Sequence, residues 1–303
     1  MIKPTSSQPV KTREVQNFIC DSTVWNEFEF RAGDIVIDSY LKSGTTWMQQ
    51  IVSQLIFDAV PDLDVASMSP WLDRRVPSMK ERLSVFEKQD HRRFIKTHLP
   101  IDALPVSPIA KYIYVARDGR DVAWSLHNYH KRANDNFYKT FNDTPGRVGP
   151  PIEVPPDAEY TYYKNWFEKD GYPFWSHWDH ISGWWNAREV PNILLVHYND
   201  LKKDLPGQID QIASFLDIDI NILNKPKILK HCSFEYMKAS YKKIIPLSGA
   251  LWDVEGKAFI NKGTNRRWQN VLSSDESLEY EKRAVERLGQ ECAGWLMQGS
   301  LGA

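Results

Sequence analysis

Residues 34–47 read DIVIDSYLKSGTTW and contain the change from a strand pattern to a helix pattern on which the fold depends. The apolar run 35–37 is typical of a buried strand, and the apolar residues after Thr45 recur at helical spacing. The polar loop 42–46 lies between them. A loop that joins a parallel strand to its helix presents backbone N–H groups at the positive end of the helix dipole. The stretch therefore predicts a P-loop-like, phosphate-binding strand–loop–helix unit.

The loop has the right chemistry for a phosphate, but it is not a Walker A loop. Gly44 allows a ligand to approach the backbone closely, and Lys42 supplies a positive charge. A Walker A loop needs its lysine directly after its last glycine, whereas Lys42 precedes Gly44 and the loop has one glycine. Taken alone, KSGTT would by default be read as a polar turn that merely caps a helix. Other parts of the chain have to decide between the two.

Strand and helix patterns alternate along much of the 303-residue chain. This alternation predicts an α/β fold with a central parallel sheet flanked by helices, in a single domain over 1–303. Residues 1–30 are predicted to be an irregular lead-in, and the proline- and glycine-rich stretch 134–157 a surface loop or lid. Strands are predicted at 34–40, 92–100, 111–118 and 192–200; helices are predicted at 45–60, 119–134, 205–218 and 275–297.

Composition excludes several classes of function. The net charge of −1 gives no general electrostatic attraction to nucleic acid. No apolar stretch is long enough to span a bilayer, and the first residues have no apolar signal core. The three cysteines are far apart and have no metal-ligand spacing. We therefore expect a protein of the cytoplasm with no stable membrane insertion, no metal and no nucleic-acid partner.

Four motifs in this order resemble the cytosolic-type sulfotransferases. They are SYLKSGTTW (39–47), FIKTHLP (94–100), YVARDGRDVAWS (114–125) and FINKGTNRRW (259–268). The resemblance runs from about Asp34 to Trp268. Enzymes of this family move a sulfuryl group from 3′-phosphoadenosine 5′-phosphosulfate (PAPS) to a hydroxyl or an amine. The resemblance thus implies PAPS as co-substrate and a small-molecule or lipid-like acceptor.

The resemblance also implies a role for each matching residue. His98 would be the general base, and Lys96 would contact the transferring group. The 5′-phosphosulfate would be held by Lys42 and by the amides of Ser43, Gly44, Thr45 and Thr46. The adenine would contact Trp47, Tyr198 and the segment Cys232, Ser233 and Phe234. The 3′-phosphate would be bound by Arg117, Ser125, Lys262 and Gly263.

These residue types fit the reaction. Sulfuryl transfer, like phosphoryl transfer, depends on positioning and on stabilisation of charge. Lys42 and Lys96 can stabilise the charge on the oxygen of the leaving group, so a metal is not required. Histidine, with a pKa near 6–7, can accept the proton of an acceptor hydroxyl. On this basis His98, Lys42 and Lys96 are the predicted catalytic residues.

Two departures from the family pattern affect the expectations. Asn261 stands where the family usually has arginine, so Arg266 or Arg267 could supply the missing charge. The segment WQNVLSSDES (268–277) does not match the family's dimer motif, so dimerisation by that route is not evident. Several other residues have ordinary structural readings: Arg120–Asp121 as a solvated pair, Trp184–Trp185 as core, and His127, His130, His177 and His180 as structural or exposed.

The acceptor pocket is predicted from aromatic composition. Phe137, Tyr138 and Phe141, together with the aromatic stretch 159–178, are candidate walls, which favours an apolar or aromatic alcohol, phenol or lipid-like acceptor. Two alternatives remain open at this point. A nucleotide-dependent kinase would require a metal, and a non-catalytic nucleotide-binding module would form no product. The sequence does not name the acceptor.

Overall fold

A parallel four-stranded sheet forms the centre of the computed structural model, which describes residues 8–245, 250–252, 260 and 263–300. The spatial order is β2–β1–β3–β4, and each of the three strand pairs is parallel. The strands are β1 (Ile35–Ser39), β2 (Phe94–Lys96), β3 (Lys111–Ala116) and β4 (Ile193–His197). The predicted α/β fold with a parallel sheet is therefore confirmed. From β1 the chain first adds β2 on one side and then crosses to add β3 on the other side. The direction in which strands are added therefore reverses between β1 and β3.

Helices surround the sheet. They are α1 (Thr45–Ile56), α2 (Val65–Met68), α3 (Met79–Glu87), α4 (Gly119–Lys131), α5 (Asp135–Asn142), α6 (Glu159–Glu168), α7 (His177–Asn186), α8 (Tyr198–Lys203), α9 (Leu205–Phe215), α10 (Lys225–His231), α11 (Phe234–Ala239), α12 (Tyr241–Ile244), α13 (Ser274–Leu288) and α14 (Gln290–Gln298). Short 3₁₀ turns lie at Ser22–Asn26, Ile101–Ala103 and Arg267–Asn270.

Both faces of the sheet are covered. Successive side chains of a strand point to opposite faces, and on β3 Tyr112 and Tyr114 join one apolar cluster while Ile113 and Val115 join the other. All of these side chains are fully buried. A strand buried on both sides reads as a continuous apolar run, which is why the sequence pattern identified β1 and β3.

Helices α1 and α4 begin directly after two neighbouring strands. Gly44 precedes α1, and Asp118 precedes α4, where its side chain accepts a hydrogen bond from the amide of Arg120 at 2.9 Å. Since β1 and β3 are paired in parallel, the N-termini of the two helices meet at the same edge of the sheet. In open α/β sheets, ligands bind at such a reversal of strand order.

The structure differs from the sequence prediction in three places. Helix α5 occupies the first part of the predicted loop 134–157, because the Asn134 side chain caps it and Phe137 and Phe141 face the core. The predicted helical tail is two helices, α13 and α14, separated at Gly289, which has a φ of 77°. Within the predicted irregular lead-in, a 3₁₀ turn buries Trp25, whose Nε1 donates to Asp73 at 2.8 Å.

Buried polar groups change one further expectation. Arg120 and Asp121 are buried, so their reading as a solvated pair is wrong. The Arg120 guanidinium pairs with Asp118 at 2.8 Å and stacks 3.8 Å above the ring of Trp268. Among the residues with ordinary structural readings, the tryptophans Trp184 and Trp185 and the histidines His127, His130, His177 and His180 are all buried.

Candidate active site

A cavity of about 920 Å³ lies where β1 and β3 end. This volume is at the upper end of the range for small-molecule sites, roughly 300–1,000 Å³. Thirteen of the residues predicted from the sequence line it: Lys42, Gly44, Thr45, Thr46, Trp47, Lys96, His98, Arg117, Ser125, Phe141, Tyr198, Phe234 and Gly263. Motifs that are up to about 220 residues apart in sequence therefore contribute to one site.

The loop between β1 and α1 is built for close contact with a ligand. Gly44 has a φ of 118°, and a Cβ atom at this position would lie 2.8 Å from the ring of Tyr198. Gly44 provides no side-chain cap, so the amides of the first turn of α1 keep no capping partner. The buried Ser43 hydroxyl has no hydrogen-bond partner among the described residues. These features fit a phosphate or sulfate group at the helix N-terminus.

Lys42 adopts a backbone conformation that is uncommon outside glycine. Its φ is 67°, and such residues concentrate at ligand sites. The Nζ atom lies 4.8 Å above the ring of Tyr129. Burial, with further contributions from Lys96 and Arg117, lowers the pKa of Lys42 to about 7. An anion in the cavity would restore the charged form, because an opposite charge nearby favours it.

Lys96 ends strand β2 and approaches the site from the other side. Its Nζ atom lies 5.6 Å from the centre of the Trp71 ring. Burial and then the charge of Arg74 lower the pKa of Lys96 to about 8, whereas Asp73 raises it. Two lysines with lowered pKa values therefore line the same cavity.

His98 is buried, and its orientation is fixed by the backbone of β1. Its Nδ1 lies 2.8 Å from the carbonyl oxygen of Ser39. A carbonyl can only accept a hydrogen bond, so Nδ1 carries the proton and Nε2 is the free basic nitrogen. Burial and then the charge of Lys96 lower the pKa of His98 well below its ordinary value. The expected pKa near 6–7 is therefore too high for His98 in the ligand-free protein.

Arg117 joins the loop 42–46, between β1 and α1, to the segment 263–265. Its guanidinium donates to Asn265 Oδ1 at 2.8 Å, to the Thr264 carbonyl at 3.2 Å and to the Lys42 carbonyl at 3.2 Å. The same group lies 4.4 Å above the ring of Tyr198. Arg117 is thus positioned by four neighbours before any ligand arrives.

The segment around Gly263 is held over the cavity from two sides. Lys202 donates to the Gly263 carbonyl at 2.7 Å, and Asp121 accepts from the amide of Arg266 at 2.7 Å. Burial raises the pKa of Asp121 to about 6. Gly263 has a φ of 61°, and a Cβ there would lie 2.8 Å from the ring of Phe234. Lys262 and Asn261 lie outside the described residues.

The predicted adenine side is aromatic, but its residues differ in what they present. The rings of Trp47 and Tyr198 are 5.5 Å apart and nearly perpendicular, and Phe234 lines the cavity beside them. Cys232 contributes through its carbonyl, which accepts from Trp47 Nε1 at 2.8 Å. Ser233 caps α11, its hydroxyl accepting from the amide of Tyr236 at 3.2 Å. Cys232 and Ser233 therefore position the aromatic residues and are not themselves in the cavity wall.

The predicted acceptor walls lie only partly at the cavity. Phe141 lines it, whereas Phe137 and Tyr138 pack behind Phe141. The aromatic stretch 159–178 contributes no residue to the cavity lining. Its members Tyr163 and Trp166 are buried in the core, and Tyr163 packs 5.2 Å from Trp124. The prediction that this stretch forms a wall is therefore wrong, because the aromatic face of α6 packs against α4.

Several cavity residues were not predicted from the sequence. They come from the segment after α2, from the end of α4 and from α8: Trp71, Arg74, Tyr129 and Lys202. Trp71 packs edge-on at 4.7 Å from His98. No periodicity marks residues 69–77, so the pairing of Trp71 with Lys96 beside β2 has no signal in the sequence.

Within the part of the chain that the structure describes, no group of three or more His, Cys, Asp or Glu side chains could hold a metal ion. No helix among the same residues is long and apolar enough to cross a membrane.

Comparison with known proteins agrees with this site. The family model described as "Sulfotransferase domain" matches residues 32–291. A "Glycolipid sulfotransferase" of Mycobacterium bovis is 29% identical over 322 residues, covering 98% of each chain. "Sulfotransferase 1B1" of Mus musculus is 31% identical over 264 residues, covering 84% of this chain and 82% of the relative.

Solved structures share the fold. A mouse sulfotransferase, SULT7A1, complexed with PAP (the desulfated donor) superposes with a TM-score of 0.68 at 24% identity, covering 90% of this chain and 91% of that chain. Retinol dehydratase in complex with androsterone and inactive cofactor PAP superposes with a TM-score of 0.67 at 24% identity, covering 88% and 83%.

Proposed function

The chain belongs to the sulfotransferase family, and we propose that His98 is the general base with which it transfers a sulfuryl group to a hydroxyl of an apolar or aromatic acceptor. As a member of this family it is a PAPS-dependent enzyme. We further propose which residues hold the donor and which class of acceptor the cavity binds.

The observation that carries the proposal is the placement of His98. Its Nδ1 is committed to the Ser39 carbonyl, so its Nε2 is available as a base in the cavity that holds Lys42 and Lys96. A base and two cations in one enclosed site are what sulfuryl transfer needs, because a proton is removed while charge develops on the leaving group.

The proposed reaction is a single displacement. His98 Nε2 takes the proton of the acceptor hydroxyl while the acceptor oxygen forms a bond to the sulfur atom of PAPS. The bond between sulfur and the bridging oxygen breaks, and PAP leaves with the electron pair. Lys42 and Lys96 stabilise the charge that develops on the bridging oxygen, and Ser43 and the first amides of α1 hold the 5′-phosphate side.

Arg117 and Ser125 are proposed to bind the 3′-phosphate of the donor, beside Gly263. Both line the cavity at α4 or directly before it. Trp47, Tyr198 and Phe234 are proposed to hold the adenine ring. PAP should consequently bind more tightly than AMP, since AMP lacks the 3′-phosphate. Calorimetry with the two nucleotides measures this difference.

The acceptor side supports a small-molecule or lipid-like alcohol. The cavity lining includes the large apolar side chains of Trp71, Phe141, Met237 and Trp252. Large apolar side chains favour apolar acceptors because binding removes their surface from water. The glycolipid sulfotransferase relative, by its name, acts on a substrate of this kind.

Replacement of His98 tests the proposed base. With labelled PAPS and a neutral phenol, His98→Gln should lower kcat by roughly 10²–10⁴, the usual effect of losing a general base. PAP affinity should stay close to that of the wild type, and this binding measurement controls for misfolding. With the phenol saturating, kcat/KM for PAPS reports the donor-free enzyme, and its acid-side decrease should lie below the ordinary titration range of histidine, because protonation inactivates the base and burial lowers the pKa of His98. A His98→Gln enzyme with unchanged kcat would show that His98 is not the base.

A further inference from the structure

Arg74 is a buried arginine in the wall of the cavity. Only 9% of its surface is exposed. Its segment is fixed beside β2, because the amide of Leu72 donates to the Lys96 carbonyl at 3.1 Å and Arg74 itself bridges to Cys20. The position of Arg74 is therefore set by the main chain and not by a partner for its charge.

The guanidinium has hydrogen-bonding capacity that the protein does not use. The Nε and Nη2 atoms of Arg74 have no hydrogen-bond partner among the described residues. The adjacent carboxylate of Asp73 accepts from Trp25 Nε1 at 2.8 Å and from Thr97 Oγ1 at 2.5 Å. Asp73 is thus occupied by other donors, although it neighbours Arg74 in sequence.

Arg82 is a second buried arginine in the cavity lining, and it differs from Arg74 in its hydrogen bonding. Arg82 also lines the cavity, but its Nε donates to the Pro77 carbonyl at 3.0 Å and its Nη1 to the Leu72 carbonyl. Arg82 therefore has a structural role, because its guanidinium supplies hydrogen bonds to two backbone carbonyls. Arg74 has no such hydrogen bonds from Nε or Nη2 among the described residues; burial lowers its pKa, Tyr129 raises it, and Arg82 lowers it as a like charge.

An unpaired buried cation destabilises a protein, so the charge of Arg74 calls for a compensating ligand. For a wholly apolar acceptor, an apolar side chain of the same size would be the better wall. Arg74 instead lies with its guanidinium 5.1 Å above the ring of Phe141, a cavity residue that is a proposed acceptor wall. The charge of Arg74 also reaches Lys96.

We infer that Arg74 binds an oxyanion on the acceptor, so that the substrate is an alcohol or phenol that also carries a carboxylate, phosphate or sulfate group. This inference rests on the proposed function. The hydroxyl would lie at His98 and the anionic group at Arg74, with Trp71 between them, since Trp71 packs against His98. Arginine suits this role because its planar fork matches an oxyanion with two parallel hydrogen bonds.

Matched acceptor pairs test the inference. The probes are p-hydroxyphenylpropionate and ω-hydroxydodecanoate, each with its methyl ester, which keeps the hydroxyl and removes the charge. Wild-type kcat/KM should favour each acid over its ester by about 10- to 100-fold, the range for hydrogen bonds to a charged group. Arg74→Met should abolish this preference by lowering the value for the acids, and Arg74→Lys should keep part of it.

Two controls separate recognition from folding. Arg74→Met should bind PAP as the wild type does and should not melt at a lower temperature, because it removes an unpaired buried charge. Arg82→Met should melt at a lower temperature, since two carbonyls lose their donor, but should keep the acid-to-ester ratio.

A binding measurement keeps the inference independent of turnover. Calorimetry on the PAP-saturated protein should show binding of the acids to the wild type and loss of that binding in Arg74→Met. If neither the acids nor neutral phenols are sulfated while the acids bind in this way, the proposed function fails and the anion site stands. Equal kcat/KM and equal binding for acid and ester, with a ratio that Arg74→Met leaves unchanged, would overturn the inference.

Discussion

The affinity for PAP is expected to depend on pH through the charge of Lys42. Burial, Lys96 and Arg117 lower the pKa of this lysine to about 7 in the ligand-free protein. We propose that the 5′-phosphate of PAP binds beside Lys42. A phosphate stabilises the protonated lysine, so the complex retains a proton that the free protein loses as the pH rises. PAP should therefore bind less tightly at higher pH.

The size of the effect follows from the pKa. A lysine with a pKa of about 7 is roughly half protonated at pH 7, but only about one molecule in a hundred is protonated at pH 9. If Lys42 is fully charged in the complex, PAP affinity falls roughly 50-fold between these pH values, equivalent to about 2.3 kcal/mol. The phosphates of PAP keep their charge over most of this range, so they do not produce the same trend.

Calorimetry in buffers of different ionisation enthalpy measures the affinity and the protons taken up together. The expected result is uptake that approaches one proton per PAP near pH 8–9, with the affinity decreasing over the same range. Lys42→Arg is the matched control, because a guanidinium stays charged at these pH values and its binding should not vary in this way. Equal affinity of the wild-type protein at pH 7 and pH 9, without proton uptake, would refute the assignment of Lys42 to the phosphate or its lowered pKa.

Two further predictions concern the proposed 3′-phosphate site. Arg117→Ala should weaken PAP binding by about 1.5–3 kcal/mol in calorimetry, the range for hydrogen bonds to charged groups, while AMP binding changes less. Asn265→Ala removes an acceptor of Arg117 and a donor to Asn199 but leaves the guanidinium in place, so it should have a smaller effect; an equal loss would mean that Arg117 acts by holding the segment 263–265. Arg267 lines the cavity, whereas Arg266 is exposed and holds Asp121 through its amide, so Arg267→Ala should weaken PAP binding and Arg266→Ala should not. If neither changes PAP affinity, these arginines do not replace the one missing at Asn261.

The strand–loop–helix unit around residues 42–46 could be predicted from the sequence because its determinants are local. A continuous apolar run predicts β1, and the helical spacing that begins at Thr45 predicts α1, which the structure places at Thr45–Ile56. The glycine between them has the positive φ that the turn requires. Pairing β1 with β3 then brings Arg117 to the same edge, because parallel strands end together.

The acceptor side could not be predicted, since it depends on contacts between distant segments. Trp71 and Arg74 reach the cavity because their segment pairs beside β2, more than 20 residues later, and polar residues without periodicity do not reveal such a pairing. Aromatic composition was misleading in α6 for a related reason. Tyr163 and Trp166 have the same apolar surface as a pocket wall, and only the packing of α6 against α4 makes them core.

The lowered pKa values of Lys42, Lys96 and His98 have one common origin, which connects donor binding to catalysis. Burial is the largest cause for each, and the neighbouring cations add to it. PAPS carries the sulfuryl group that PAP lacks, and its negative charges would offset those cations: the 5′-phosphate would keep Lys42 protonated, the sulfuryl group would keep Lys96 protonated, and the pKa of His98 would rise. A histidine whose pKa rises toward the working pH is a stronger base and remains largely neutral. On this reasoning, the donor supplies more than the sulfuryl group: its charge brings the two lysines and the base into the protonation states that the transfer requires.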